Sequence, residues 1–216
     1  MSRAAEKDAM RAFLDAHPHH CEVRDDWPLK PVAPLLARLC LASALPPKSC
    51  RSSILGIVTR GDRAVLFIDP PNASGTIAHV LFGGRPESSE TPPGTLRREV
   101  AEETGWHVVV GEIIGFRHFQ HLGPPHPQMA DRPYPDFVQP IYAAEAQNFD
   151  AGLLLPDEHP SELVGAEWAL AVTHPAQRPL LEAALKASQV TQGNENVPSS
   201  LPYPKPSPAP VFGNVA

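Results

Sequence analysis

The stretch Gly84–Trp106, GRPESSETPPGTLRREVAEETGW, constrains this chain more than any other part of it. It sets Gly84, Glu90, Arg98-Glu99, Glu102-Glu103 and Gly105 at fixed intervals, with Val100 and Trp106 at its apolar positions. Seven such positions, each at roughly 7% background usage, recur by chance on the order of once in 10^8 starts. Thr91 is a residue type that caps a helix, Pro92 or Pro93 suits a first turn, and Gly105 suits the left-handed residue beyond a last turn. A helix between Thr91 and Gly105 follows.

On that helix Glu99, Glu102 and Glu103 stand at i, i+3 and i+4, so their carboxylates share one face. Leu96, Val100 and Thr104 form a second stripe, roughly 100° round, that can meet a core. Like charges 5–6 Å apart repel by roughly 3 kcal/mol per pair at an effective dielectric of 20. Glu102 and Glu103 also sit near the helix C-terminus, where the dipole disfavours negative charge. A solvated acidic face accounts for such a cluster taken alone. Within the whole spaced pattern, oxygen ligands for a hard divalent cation, Mg²⁺ or Mn²⁺, account for it better.

The complete spacing, G-x5-E-x7-R-E-U-x-E-E-x-G-U with U a bulky apolar residue, resembles the Nudix box. Trp106 fills the last U, where an aliphatic residue is commoner. The box covers 23 residues, and compatible strands around it extend the likeness to about 51–187. The resemblance implies an α/β fold, a Nudix-like α/β/α sandwich with a mixed sheet. It assigns metal binding to Glu99, Glu102 and Glu103, with a backbone carbonyl from the Gly83-Gly84 turn. The position of Glu99 is also one proposed for the base that activates water. Arg98 would orient a box glutamate, Glu90 being the nearest choice. The implied reaction is attack of water on a phosphorus of a nucleoside diphosphate derivative.

Composition narrows what surrounds this centre. The chain has 216 residues, 27 prolines and 42% hydrophobic residues, enough for one domain with irregular extensions. A net charge of −6 without any basic block argues against stable nucleic-acid binding. Cys21, Cys40 and Cys50 form no CxxC pair and are odd in number, so neither a disulfide framework nor a zinc ribbon is indicated. The N-terminus lacks a signal-peptide core, and the most apolar run, Leu35–Leu45, contains Arg38 and falls short of a membrane span. A soluble cytoplasmic protein is expected.

In chain order, residues 3–16 read as a short amphipathic helix with Met10, Phe13 and Leu14 on one stripe. His17, His19, His20 and Cys21 read as an exposed turn rather than a metal cluster. Leu35, Leu36, Leu39 and Cys40 suit a second short helix, making residues 1–50 a helical N-terminal extension. It has three open roles: packing on the domain, a homodimer interface, or the mouth of the active site. Ile54–Thr59 and Ala64–Ile68 flank a hairpin turn, and a loop over 69–76 leads to a strand through His79–Phe82. After the box helix come strands 106–114, 115–121, 137–144 and 164–170, then a closing helix over 174–187. Residues 188–216 read as a disordered, proline-rich tail.

Substrate markers outside the box are weak. His121 stands where many ADP-ribose pyrophosphatases carry a proline, with Pro124 slightly late. The tyrosine typical of dinucleoside polyphosphate hydrolases and the NADH-diphosphatase and coenzyme A signatures are absent. The distinctive stretch is Arg117–Asp136, whose Arg132 and Tyr134 are the candidates for substrate binding in a recognition loop. Glu145, Glu158 and Glu162 are each candidates for an additional basic carboxylate. The expected function is Mg²⁺-dependent pyrophosphate hydrolysis on a small nucleotide substrate. The alternative is a nucleotide-sensing module with little turnover.

Overall fold

The computed structural model describes residues 3–68, 78–156 and 161–193. In chain order the elements are α1 (Arg3–Ala16), β1 (Cys21–Arg24), β2 (Leu35–Leu41), β3 (Ile54–Arg60), β4 (Arg63–Ile68), β5 (Ala78–His79) and β6 (Phe82–Gly84). Then come α2 (Pro92–Thr104), β7 (Trp106–His121), β8 (Asp136–Phe149), β9 (Ser161–Gly165), α3 (Ala166–Val172) and α4 (Arg178–Gly193). The strands form one mixed sheet in the order β1-β2-β7-β8-β3-β4-β5, with β6 on β3 and β9 on β4. β3 and β8 run parallel, Leu55 opposite Ile141, while the other named pairs are antiparallel.

Strand alternation divides the core into two layers. Leu55 and Ile57 of β3 face α4, packing with Leu180, Leu181 and Ala184. Ile54 and Val58 face α2, packing with Leu96 and Val100. β3 is buried along nearly its whole length, as a strand covered on both sides must be. The sheet is therefore sandwiched between α2 and α4, as expected.

The leader differs from its expectation. Leu35–Leu41 is not a helix but strand β2, antiparallel to β7 with Leu35 opposite His121. Its spacing fits a helix, yet Leu35, Ala37 and Leu39 also alternate, and pairing with β7 decides the outcome. Through β1 and β2 the leader continues the domain's sheet. Helix α1 packs Met10 with Cys40, Cys50, Phe116 and Val138, and Phe13 lies 5.0 Å from the Phe116 ring. The stretch expected as a last strand splits into β9 and α3. The two strands expected over 106–121 are one strand whose pairing with β8 shifts register around Ile113.

The closing helix runs past Ser188 to Gly193. Ser188 is buried and its hydroxyl accepts the Gly61 N–H at 3.0 Å, so the expected tail boundary at 188 falls inside a docked helix. The loop over 69–76 and the tail beyond 193 lie outside the described residues. No helix among the described residues is long and apolar enough to cross a membrane.

Candidate active site

Helix α2 is fixed at both ends by its own residues. Thr91 Oγ1 accepts the Gly94 N–H at 3.2 Å, and a proline opens the first turn. Gly105, at φ 73°, closes the helix in the left-handed region with its N–H on Ala101 O. Leu96 and Val100 are fully buried, each contributing about 1.5–3 kcal/mol of burial. That anchors one stripe to the sheet and leaves Arg98, Glu99, Glu102 and Glu103 on the half-buried side.

Arg98 is the hub of this side. Its Nε and Nη2 fork onto Glu90 at 2.9 and 3.2 Å, and Nη2 also donates to Arg85 O at 3.1 Å. Nη1 lies 3.0 Å from Glu99 Oε1 and 3.1 Å from Glu102 Oε2. Each guanidinium nitrogen is thus committed, in the planar geometry that suits carboxylates. Glu90 further accepts the Glu87 N–H at 2.8 Å and the Thr95 hydroxyl at 2.9 Å. The Arg98 bond, then these others, holds the Glu90 pKa down at about 2. Burial pushes the Glu99 carboxyl the other way, upward, against the pull of Arg98.

The Gly83-Gly84 turn meets the helix directly. Gly83 donates its N–H to Glu103 Oε2 at 2.9 Å. Its φ of 131° lies outside what L side chains adopt, and a Cβ there would collide with Ile54 O. At Gly84 a Cβ would occupy the place of the Glu99 carboxylate. Gly83 is thus required by its own φ and by β3 alongside it, whereas Gly84 leaves room for the Glu99 carboxylate of α2.

These carboxylates supply oxygen donors only, the set a hard divalent cation takes. Among the described residues no three His, Cys, Asp or Glu side chains converge to hold an ion as they stand. Glu103 is turned to the Gly83 N–H, and the Arg98 cation sits between Glu99 and Glu102. The donor chemistry fits a metal; Arg98 is its competitor for two of the carboxylates.

Arg132 and Tyr134 are not part of this cluster. The Arg132 guanidinium stacks over Trp27 and Phe137, 4.5 and 5.3 Å from the ring centres. Tyr134 donates to Gly123 O at 3.3 Å. Two residues that the sequence reading passed over join the regions: Arg85 pairs with Asp131. Burial first, and then Arg85 nearby, lowers the Arg132 pKa. A basic residue directly after the glycine pair was the available signal. Glu145, a candidate base, instead accepts from Ser188 of α4, on the face opposite α2. Glu162 is exposed on β9, and Glu158 lies outside the described residues.

The NUDIX domain family model matches residues 51–184. Among solved structures, the E. coli ORF135 protein is 22% identical, covering 70% of this chain and 100% of its own, with a TM-score of 0.43. A Bacillus subtilis pyrophosphohydrolase is 16% identical, covering 81% and 98%, with a TM-score of 0.44. A structure described as an ADP compounds hydrolase is 12% identical, covering 82% and 98%, at 0.37. No curated protein matches.

Proposed function

The chain belongs to the Nudix family of hydrolases acting on phosphoanhydride bonds, and from that premise we propose that it is a Mg²⁺-dependent pyrophosphohydrolase of a nucleoside diphosphate derivative or a nucleotide, working in the cytoplasm. One observation carries this reading: every fixed position of the box is present, with Gly84 in the glycine turn against the helix, Glu90 in the loop before α2, and Arg98, Glu99, Glu102, Glu103 and Gly105 on or closing that one capped helix. Glu99, Glu102 and Glu103, with the Gly83 carbonyl, are the proposed metal ligands. A bound Mg²⁺ or Mn²⁺ would neutralise the pyrophosphate and polarise the attacking water.

The chain's own residues divide the remaining work. Arg98 and Glu90 act by positioning: their forked pair fixes the loop before α2 against the helix. Glu99, whose carboxyl burial pushes upward against the pull of Arg98, is the proposed acceptor of the proton from the attacking water. Positioning and charge neutralisation supply most of the acceleration in phosphoryl chemistry. Arg132 and Tyr134 are the proposed substrate contacts.

A phosphate-release panel tests the reading with nucleotide sugars, ADP-ribose, dinucleoside polyphosphates and nucleoside triphosphates, with and without Mg²⁺. Turnover that requires the cation is expected on at least one class. Binding without turnover on all of them would replace the enzyme by the nucleotide-sensing module.

A further inference from the structure

Strand β1 ends the sheet: it pairs with β2 on one side, and among the described residues no strand pairs with its other side. The ladder fixes which backbone groups face outward. Trp27 and Ala33 exchange both N–H···O bonds, at 3.0 and 3.1 Å, and the Asp25 N–H meets Leu35 O at 3.0 Å. In an antiparallel pair such bonded positions alternate with unbonded ones. Along the register of β1 on β2, Cys21 and Val23 therefore turn their amides to β2, while Glu22, Arg24 and Asp26 turn theirs away. The side chains along this edge are open as well. Glu22, Arg24 and Asp26 are exposed, and Val23 is 44% exposed despite being apolar.

We infer that a second copy of the chain adds at this edge, β1 to antiparallel β1 about a two-fold axis through Val23, joining the two sheets. The inference goes beyond the hydrolase reading and does not depend on it. A two-fold contact sets one patch against itself, so the charges along β1 decide which register forms. An axis between two residues would oppose an outward amide with an inward one, so the axis passes through a residue. Centred on Glu22, the edge sets that carboxylate against the partner's Glu22. Centred on Arg24 it opposes two guanidinium groups, and centred on Asp25 it opposes two carboxylates. Each of these costs stability across a strand pair. Centred on Val23, Glu22 stands opposite the partner's Arg24, and Arg24 opposite the partner's Glu22. Both are hydrogen-bonded positions, and Val23 meets the partner's Val23 at the closer, non-bonded position between them.

The order of charges separates this edge from a protected one. Edge strands are commonly kept from pairing by charge, which works where like charges meet; here the signs alternate, so self-pairing matches them. The contacts within one chain leave room for the partner. Arg38 donates to Glu22 Oε2 at 2.6 Å, and Arg24 engages Asp26 through Nε at 2.8 Å. A carboxylate has a second oxygen and a guanidinium has further N–H groups. The row across the joined sheets then runs from the partner's Arg24 through Glu22 and Arg38 to His118. Ion pairs this exposed add little affinity. They select the register, while the new backbone bonds and the covered Val23 hold the contact. So short an edge belongs with the smaller, transient interfaces.

Sedimentation velocity of the full chain, loaded from about 1 µM to about 1 mM, spans the affinity of such an interface. The wild type should pass from monomer towards dimer over that range. Arg24→Glu, at an exposed side chain, should melt like wild type and weaken the dimer roughly tenfold or more, since both cross-strand pairs then oppose like charges. Val23→Cys brings two thiols onto the axis with Cα atoms about 4.5 Å apart, within disulfide reach. An added thiol oxidant should capture that variant as a dimer linked through position 23, and Arg24→Glu combined with it should suppress the link. In wild type the two Cys21 positions stand about 13 Å apart along the ladder and should form none. A wild type that stays monomeric overturns the inference and leaves the edge to an extended segment of another protein. A dimer of equal strength in Arg24→Glu, or a Val23→Cys variant that does not link, overturns it by placing the contact elsewhere.

Discussion

Gly84 lies directly beneath the Glu99 carboxylate, which fills the volume a side chain at 84 would need, whereas the space beside Gly83 is filled by the backbone of Ile54. The two neighbouring glycines therefore answer to different constraints. In Gly84→Ala the obstruction is the far end of a flexible side chain, so Glu99 is displaced and the fold remains. We predict a fall in kcat of about 100-fold, in line with loss of one charge-stabilising group, with a melting temperature within a few degrees of wild type. Gly83→Ala has no flexible neighbour and the wrong φ, and should cost about 1–3 kcal/mol of stability. Thermal melts and kcat measured on both variants separate the two effects.

The Glu90–Arg98 pair makes an acid-sensitive contribution. The Glu90 pKa is lowered from 4.5 to about 2, so its stabilisation is fully present above 4.5 and is lost as pH falls from there through 2. Wild type should therefore melt above Glu90→Gln at neutral pH, and the gap should close between about pH 4.5 and 2. A gap that stays constant across that range would show the pair to be electrostatically idle.

Helix α4 ends further along the chain than its sequence announces. Ser188 bonds Gly61 and Glu145 from a buried position. A chain stopped after Ala187 should lose about 1–2 kcal/mol with those hydrogen bonds. One stopped after Gly193 should melt and turn over like the full chain. Denaturant midpoints of the two truncations check this directly.

What could be read from the sequence followed the reach of each signal. Helix α2 was legible because its cap, proline, glycine and apolar stripe are all local, and each does in the structure what its chemistry favours. The β3–β4 hairpin was legible for the same reason. Strand β2 was not: Leu35, Leu36, Leu39 and Cys40 suit a helix, and only pairing with β7, some eighty residues away, makes the period-two reading correct. The end of α4 was missed because Ser188 is polar, and its value lies in partners at Gly61 and Glu145. Within the site, the carboxylate-bearing helix was evident. The Arg85–Asp131 link, which ties the hairpin loop to the box across 46 positions, had no periodicity to reveal it.

Arg132 has a structural share as well as its proposed substrate role. Its guanidinium covers Trp27 and Phe137, a contact worth about 0.5–2 kcal/mol. Arg132→Ala should therefore lower stability by that amount and mainly raise KM, with kcat little changed. Tyr134→Ala, at a residue 39% exposed, should raise KM with a smaller stability loss. Equal kcat losses on every substrate with KM untouched would rule out recognition by this loop.

The central claim is that the glutamate face of α2 is a divalent-cation site serving hydrolysis, and Glu103 tests it most directly. Its carboxylate accepts the Gly83 N–H, a bond that the amide oxygen of Glu103→Gln can still accept, while the substitution removes a negative charge near a helix C-terminus. Melting curves of wild type and Glu103→Gln, in chelator and in Mg²⁺, with hydrolysis assayed in parallel, give the decision. In chelator the variant should melt at or slightly above wild type. Mg²⁺ should stabilise wild type by roughly 2.7 kcal/mol at a hundred times its dissociation constant, and the variant by much less, with hydrolysis collapsing alongside. A variant strongly destabilised in chelator that responds to Mg²⁺ and hydrolyses like wild type would contradict the account, leaving Glu103 a structural residue.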